Sequence, residues 1–126
     1  MKTILVIDDD AELCELLTIV LEAQGHRVLV SCNGRHGCDL APEFLPDVIL
    51  CDLLMPEITG FEVVNRLRED ARTTRIPVAV MTGERHLRNH VAAPRCAMWL
   101  DKPFDLSELI EAITHLLHPG DASIAA

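Results

Sequence analysis

Asp-Val-Ile-Leu-Cys-Asp-Leu-Leu-Met-Pro-Glu-Ile-Thr-Gly, residues 47–60, is the stretch of sequence that decides the fold. Its apolar run, 48–51, is typical of a strand that is covered on both faces in a parallel sheet. The run stops at Asp52, and Pro56 and Gly60 then indicate a loop before a helix. Because open α/β sheets bind ligands at the carboxyl ends of their strands, Asp52 is the first candidate for a functional residue.

Strand-like and helix-like segments alternate along the rest of the chain. Short apolar or β-branched runs predict strands, and apolar residues at helical spacing predict the helices between them. This alternation predicts a doubly wound parallel α/β sheet with right-handed crossovers and helices on both faces. The predicted strands are Thr3–Ile7, Arg27–Ser31, 48–51, 76–81 and 96–100, and the predicted helices are 13–21, 33–40, one from Thr59, 84–93 and one from Asp105.

Two of these helices carry a clear start signal. Thr59 is followed three residues later by Glu62, and Asp105 is followed three residues later by Glu108. This spacing is that of a capping box, in which the first side chain accepts a hydrogen bond from the backbone of the later residue. We therefore expect helices to begin immediately after Thr59 and Asp105.

Glycine and proline mark the predicted helix ends. Gly25 is the expected carboxyl-terminal cap of the first helix. Pro42 and Pro46 are expected to close the helix at 33–40, since proline cannot continue the hydrogen-bond ladder. The segment 84–93 is short and polar, so it predicts only a weak helix.

Length, charge and cysteine content restrict the class of protein. A chain of 126 residues fits one domain, and we expect a folded domain over 1–119 and a flexible tail at 120–126. The formal net charge of −9 argues against nucleic-acid binding, because phosphate contacts need clustered Lys and Arg. No apolar run approaches the length of a transmembrane helix, so no membrane association is expected. Five cysteines without a C-x-x-C pair favour a reduced, cytoplasmic protein.

Polar side chains stand at the carboxyl ends of four predicted strands: Asp8 and Asp9, Asp52, Thr82, and Lys102. In a parallel sheet these ends share one edge, so the side chains are expected to converge. Clustered carboxylates without His or Cys suit a hard cation such as Mg²⁺. Lys102 offers a point charge for phosphate oxygens, and Thr82 offers a neutral hydroxyl group. The set predicts phosphoryl transfer, with Asp52 as the nucleophile.

Asp9 and Asp10 each have two interpretations. Either side chain could cap the first helix, and Glu12 lies at the capping-box spacing from Asp9. We assign Asp9 to metal binding and Asp10 to capping.

At this point the chain resembles the receiver domain of two-component response regulators. The resemblance extends from Ile4 to Leu117, and the order and spacing of the motifs match as well as their residues. The matching motifs are Val6-Ile7-Asp8-Asp9-Asp10, Asp52 with Met55-Pro56 and Gly60, Thr82-Gly83, and Lys102-Pro103-Phe104.

The resemblance implies a flavodoxin-like (βα)₅ fold with strand order 2-1-3-4-5. It also implies that Asp52 accepts a phosphoryl group from a phosphohistidine on a sensor histidine kinase or a phosphotransfer protein. Asp9 and Asp52 would bind Mg²⁺ directly, together with the backbone carbonyl of Leu54, and Asp8 would act through water. The phosphorylated domain would then signal through a protein-binding surface to a downstream effector.

Further roles follow from the same resemblance. Lys102 would bond the phosphoryl group, Thr82 would swing toward it, and the Lys102–Pro103 peptide bond would be cis. Trp99 stands where the family has an aromatic switch residue, although a partly exposed aromatic packed on the fifth strand is an equal alternative. The positions of Leu54 and Glu84 influence dephosphorylation in the family. Because an apolar Leu54 cannot orient an attacking water, a long-lived aspartyl phosphate is expected.

Other functions remain open at this stage. One alternative is a haloacid-dehalogenase-like, Mg²⁺-dependent phosphatase that uses Asp8 and Asp10. Others are a degenerate receiver that only binds partners, and a receiver fragment of a larger regulator. The preferred hypothesis is a single-domain receiver that is not a conventional enzyme and is a monomer or weak dimer, since the segment 84–95 departs from the family's usual pattern.

Overall fold

A five-stranded parallel sheet with strand order β2-β1-β3-β4-β5 forms the centre of the molecule. The computed structural model describes residues 1–89 and 96–118. The strand order β2-β1-β3-β4-β5 is the one that the resemblance to receiver domains implied. The elements are β1 Thr3–Ile7, α1 Ala11–Ala23, β2 Arg27–Ser31, α2 Gly34–Phe44, β3 Val48–Asp52, α3 Gly60–Glu69, β4 Val78–Thr82, a 3-10 turn Arg85–Asn89, β5 Met98–Asp101 and α4 Leu106–Leu117.

The strand register aligns the carboxyl ends of the central strands. Ile7 at the end of β1 pairs with Cys51 of β3, so Asp8 and Asp52 follow paired residues. At the other side of the sheet, Thr82 of β4 pairs with Asp101 of β5. The polar residues that end these strands therefore meet along one edge.

The helices form one layer on each side of the sheet. On the face toward α1 and α4, Val6 and Leu50 pack with Leu17 and Leu109. Successive strand residues point to opposite faces of the sheet. Ile49 therefore lies on the face toward α2 and α3, where it packs in a second apolar cluster. Each fully buried large apolar side chain contributes roughly 1.5–3 kcal/mol. The two clusters hold the sheet rigid and so hold the strand ends in place.

Side-chain caps begin the helices where the sequence predicted them. Thr59 and Asp105 each accept a hydrogen bond from the backbone N–H of Glu62 and Glu108, respectively. Asp10 caps α1 by accepting from the N–H groups of Glu12 and Leu13, as assigned. Helix α1 ends at Ala23, and Gly25 follows its cap with a left-handed φ of +89°, which explains the glycine.

Helix α2 corrects one prediction. It begins after Asn33 as expected, but it runs through Pro42 to Phe44 instead of closing at Pro42. Proline removes one backbone hydrogen bond, but the Leu45 N–H still donates to the Ala41 carbonyl at 2.8 Å, so helical hydrogen bonding continues past Pro42. Leu45 then ends the helix in a left-handed conformation, with φ of +47°.

The crossover between β4 and β5 also differs from the prediction. The helix predicted at 84–93 is, in its described part, a short 3-10 turn at Arg85–Asn89, and only Leu87 from this turn packs on the core. The remainder, 90–95, and the predicted tail, 120–126, lie outside the described residues. Strand β5 begins at Met98 rather than at Cys96. Among the described helices, none combines the length and apolar character needed to cross a lipid bilayer.

Candidate functional site

Two buried carboxylates lie side by side at the carboxyl edge of the sheet. Asp8 is fully buried and Asp52 is 8% exposed. They follow β1 and end β3, and these two strands are direct neighbours in the sheet. Asp8 Oδ1 accepts a hydrogen bond of 2.9 Å from the N–H of Asp10, and the Asp8 N–H donates to the carbonyl of Ser31. These bonds fix the side chain at the start of α1.

Lys102 brings the cation that these carboxylates require. Its Nζ lies 3.0 Å from Asp8 Oδ2 and 3.0 Å from Asp52 Oδ1. Lys102 follows β5 directly, and the Lys102–Pro103 peptide bond is cis, as the resemblance implied. A charged group that is taken from water costs several kcal/mol unless it is paired, so this bridge makes the burial of both carboxylates possible.

Asp9 completes a group of three acidic residues. One carboxylate oxygen from each of Asp8, Asp9 and Asp52 can be chosen so that all lie within 4.8 Å of one another. Asp9 is exposed, so the group opens to solvent on one side. Oxygen donors alone, with surplus negative charge and an open side, fit a hard divalent cation that keeps some of its waters. The three carboxylates that the sequence proposed for a metal are therefore together.

For both Asp52 and Lys102, burial and the oppositely charged partner shift the pKa in opposite directions. Burial raises the pKa of the Asp52 carboxyl above its ordinary value, the hydrogen-bonded Lys102 ammonium lowers it, and the nearby Asp8 charge raises it again. Burial lowers the pKa of Lys102, but its bonds to the two carboxylates outweigh this and leave that pKa raised. Lys102 therefore stays charged, and Asp52 is a more basic carboxylate than an exposed one.

Thr82 and Trp99 lie on the strands next to this pocket. Thr82 is buried, and its hydroxyl oxygen accepts a 2.8 Å hydrogen bond from the N–H of Glu84. Its carbonyl accepts from the N–H of Lys102 at 2.8 Å, which ties β4 to the lysine. Trp99, the second residue of β5, is half-buried and packs edge-on against the ring of Phe61, with the ring centroids 6.3 Å apart.

Gly60 supports the site in a way that sequence reasoning missed. A Cβ at this position would lie 2.6 Å from the carbonyl oxygen of Asp52 and 2.9 Å from Cα of Leu53. The Gly60 N–H also donates to the carbonyl of Leu53 at 2.7 Å. The Gly60 in the motif indicated tight geometry, but the sequence did not reveal that the close neighbour is the backbone of Asp52.

A second contact that the sequence did not predict joins the 3-10 turn to the edge of the site. The guanidinium of Arg88 pairs with the carboxylate of Asp101, the residue that precedes Lys102. Both side chains are about one third exposed. No motif signals this pair, because it joins residues 13 positions apart on two different elements.

The sequence matches the response regulator receiver domain family over residues 4–114. The chain belongs to this family.

Relatives of similar length support the same assignment. This receiver domain is 37% identical to Protein PilH of Pseudomonas aeruginosa over 119 residues, which covers 93% of this chain and 98% of PilH. It is 31% identical to the polar-differentiation response regulator DivK of Brucella anthropi, covering 96% of this chain and 98% of DivK. It is also 37% identical to the DNA-binding dual master transcriptional regulator RpaA of Synechocystis, but it spans only 51% of RpaA.

Solved structures share the fold of this receiver domain. The chemotaxis response regulator CheY4 of Vibrio cholerae superposes with a TM-score of 0.86 at 28% identity, covering 93% of this chain and 99% of CheY4. The response regulator TrrA of Thermotoga maritima, solved in complex with Mg²⁺ and BeF, gives a TM-score of 0.85 at 28% identity, covering 93% and 100%.

The family membership bears on function. Receiver domains are signalling proteins that bind Mg²⁺ at an acidic pocket and interact with histidine kinases, phosphotransfer proteins and effectors. Nothing supports the phosphatase alternative, and Asp10, which it required as a site residue, is engaged in capping α1. The intact acidic group and Lys102 also argue against a degenerate receiver.

Replacing Gly60 with alanine should disturb the backbone that carries Asp52. We expect Gly60→Ala to lower the free energy of unfolding by roughly 1–3 kcal/mol, because the added methyl group meets backbone atoms that cannot move aside cheaply. Urea denaturation measures the change. Gly83→Ala is the matched control, since a Cβ there meets nothing within 4 Å. Equal destabilisation by the two variants would contradict the proposed contact.

Removing the ammonium of Lys102 should raise the pKa of Asp52 further. The charged form of Asp52 loses its hydrogen-bonded cation in Lys102→Met, while burial and the Asp8 charge still disfavour ionisation. The measurement is a pH titration of the carboxyl carbons by NMR in buffer that contains EDTA. An Asp52 pKa that stayed the same or fell in the variant would show that Lys102 does not stabilise the carboxylate.

Proposed function

We propose that this receiver domain accepts a phosphoryl group on Asp52 and signals through the change of surface that follows. The observation that carries this proposal is the contact of Lys102 Nζ with both Asp52 and Asp8, beside Asp9. A nucleophilic carboxylate, a fixed ammonium and an oxygen-rich cation site are the parts that phosphoryl transfer needs.

The reaction follows from these positions. A carboxylate oxygen of Asp52 attacks the phosphorus of a phosphohistidine, an O–P bond forms, and the P–N bond breaks. The electron pair of that bond stays on the imidazole nitrogen, which remains with the donor protein. Lys102, already 3.0 Å from Asp52, is placed to move onto a phosphoryl oxygen and balance the charge that Asp52 gains.

A divalent cation completes the site. Asp9 and Asp52 would hold Mg²⁺ directly, with the backbone carbonyl of Leu54, and Asp8 would hold it through water. When bound, the ion neutralises charge on the phosphoryl oxygens and on the clustered carboxylates. The three carboxylates against a single lysine support this assignment, because the pocket has surplus negative charge without a further cation.

The partners follow from the same chemistry. We propose a sensor histidine kinase or histidine phosphotransfer protein as donor and a downstream protein as effector, with no role for nucleic acid or membrane. Coverage of nearly the full length of PilH and DivK supports a single-domain regulator. We propose that it is cytoplasmic and a monomer or weak dimer. The match to about half of RpaA keeps a larger regulator as the alternative.

Acetyl phosphate should label Asp52 stoichiometrically. With Mg²⁺ present, intact-mass spectrometry should detect one added phosphoryl group per chain, and EDTA should suppress it, because the carboxylates then repel the anionic donor. Asp52→Asn should abolish labelling, while Asp39→Asn, an exposed aspartate on α2, should not change it. Labelling that persists in Asp52→Asn would overturn the proposed acceptor.

The aspartyl phosphate should be long-lived, because we propose that Leu54 cannot orient an attacking water molecule. Leu54 lies two residues after Asp52, is 53% exposed, and offers no group to orient a water molecule. Leu54→Asn adds an amide that can do so, and we expect the decay rate to rise several-fold. Loss of phosphate is followed by intact mass after the donor is removed. Identical decay in the parent and the variant would refute this role.

Thr82 and Trp99 are the proposed switch. We propose that the Thr82 hydroxyl turns from the Glu84 N–H toward the phosphoryl group. Trp99 lies on the neighbouring strand, where it pairs with Val80, and its side chain would respond to this movement. Trp99 now packs on Phe61. Because Trp99 is the chain's only tryptophan, its fluorescence should shift when beryllofluoride and Mg²⁺ bind, and Thr82→Ala should reduce the shift. An unchanged spectrum on binding would favour a static Trp99.

A further inference from the structure

A cavity of about 400 Å³ lies at the amino end of the sheet, opposite the acidic site. Its walls come from residues that precede the strands and from the end of α4. A volume of this size is within the range of small-molecule sites. The residues that matter are Lys2, Asp47, Arg75 and His115, with an apolar wall that includes Pro77 and Leu116.

The polar groups of this cavity are mainly basic, although the whole chain has a formal net charge of −9. Among the described residues that line it, Asp47 is the one carboxylate, and it already accepts a 2.8 Å hydrogen bond from the N–H of Thr3. Within residues 1–89 and 96–118, no carboxylate lies in salt-bridge range of Lys2, Arg75 or His115. The carboxyl end of α4 adds a partial negative charge of about one half. The two permanent cations therefore exceed the negative charge beside them.

Hydrogen bonds from the side chain of Arg68 hold the loop that carries Arg75. The half-buried guanidinium of Arg68 donates to the carbonyls of Thr74 at 3.1 Å and Ile76 at 2.9 Å, on either side of Arg75. Lys2 is similarly anchored, because its carbonyl accepts a 2.8 Å bond from the N–H of Arg27. The backbone under both cations is thus ordered before any ligand arrives, which lowers the entropy cost of binding.

Basic groups outside the cavity also act on a histidine at this end of the molecule. The pKa of His26 is lowered by burial first, and then by the charges of the amino terminus and His118, while Asp47 acts in the opposite direction. Basic groups outside the cavity therefore add to those that line it.

From this cavity we infer a second ligand site, which takes a small phosphate monoester with an apolar or aromatic body. The guanidinium of Arg75 and the ammonium of Lys2 match the phosphate oxygens, and a guanidinium can bond two of them at once. The apolar wall accepts the body of the ligand, and Asp47 can accept a hydrogen bond from a hydroxyl group on it. The site is separate from the acidic pocket and does not depend on phosphorylation of Asp52.

Phenyl phosphate is the probe, added to the whole ¹⁵N-labelled chain in EDTA, where the carboxylates of the other edge repel anions. NMR shifts should saturate at the amides of Lys2, Asp47 and Leu116, and Arg75→Ala should raise Kd by about five- to tenfold, which is the loss expected for an exposed charge-assisted contact. Arg72→Ala is the matched control, because Arg72 lies on the same loop but pairs with Asp70 at 2.8 Å. Its Kd should stay within about twofold of the parent.

Two further ligands test the phosphate contact and the apolar wall separately. Phenol should bind far more weakly than phenyl phosphate, and inorganic phosphate should bind more weakly but with the same dependence on Arg75. Equal binding of phenol, equal effects of Arg75→Ala and Arg72→Ala, or shifts only around Asp52 would each overturn the site. Inorganic phosphate that bound as tightly as phenyl phosphate would overturn the role of the apolar wall.

Discussion

The ammonium group of Lys102, held between two buried carboxylates, is the interaction on which the site depends. Asp8 and Asp52 are removed from water, and each charge would cost several kcal/mol without a partner. Lys102 satisfies both at 3.0 Å, but one cation facing these two carboxylates and Asp9 leaves negative charge in excess. On the proposed function, a divalent cation would relieve that excess, and a phosphoryl group would give Lys102 a new partner. The chemistry of the pocket therefore follows from charges that the fold brings together and only partly neutralises.

The parallel sheet also explains why the two ends of the molecule differ. All strands point the same way, so the carboxyl edge collects Asp8, Asp52 and Lys102, while the amino edge collects the residues that precede each strand. The first edge is rich in carboxylates, and the second carries the basic cavity with Lys2 and Arg75. At each edge, a contact to the backbone holds the site in position. At the carboxyl edge, Gly60 lies close to the carbonyl of Asp52. At the amino edge, the Arg68 side chain bonds to carbonyls on either side of Arg75.

Local signals predicted most elements because their physical cause is local. The apolar run 48–51 is typical of a covered strand and forms one, and Thr59 and Asp105 cap the helices that follow them. Prediction failed where packing overrides a local preference. Helix α2 passes through Pro42, and the Leu45 N–H still bonds to the Ala41 carbonyl beyond it. The described segment Arg85–Asn89 is a 3-10 turn, and its sequence offers little apolar surface to bury.

The linear order of residues was enough to establish the alternation of strands and helices, the helix starts, and the set of Asp8, Asp9, Asp52, Thr82 and Lys102 at strand ends. These features depend on residue type and short spacing, which are written directly in the chain. Three-dimensional packing alone established that Lys102 bridges Asp8 across 94 positions, that Gly60 lies on the carbonyl of Asp52, and that Trp99 meets Phe61. Contacts between distant residues depend on how every intervening element packs, so no short stretch of sequence contains them.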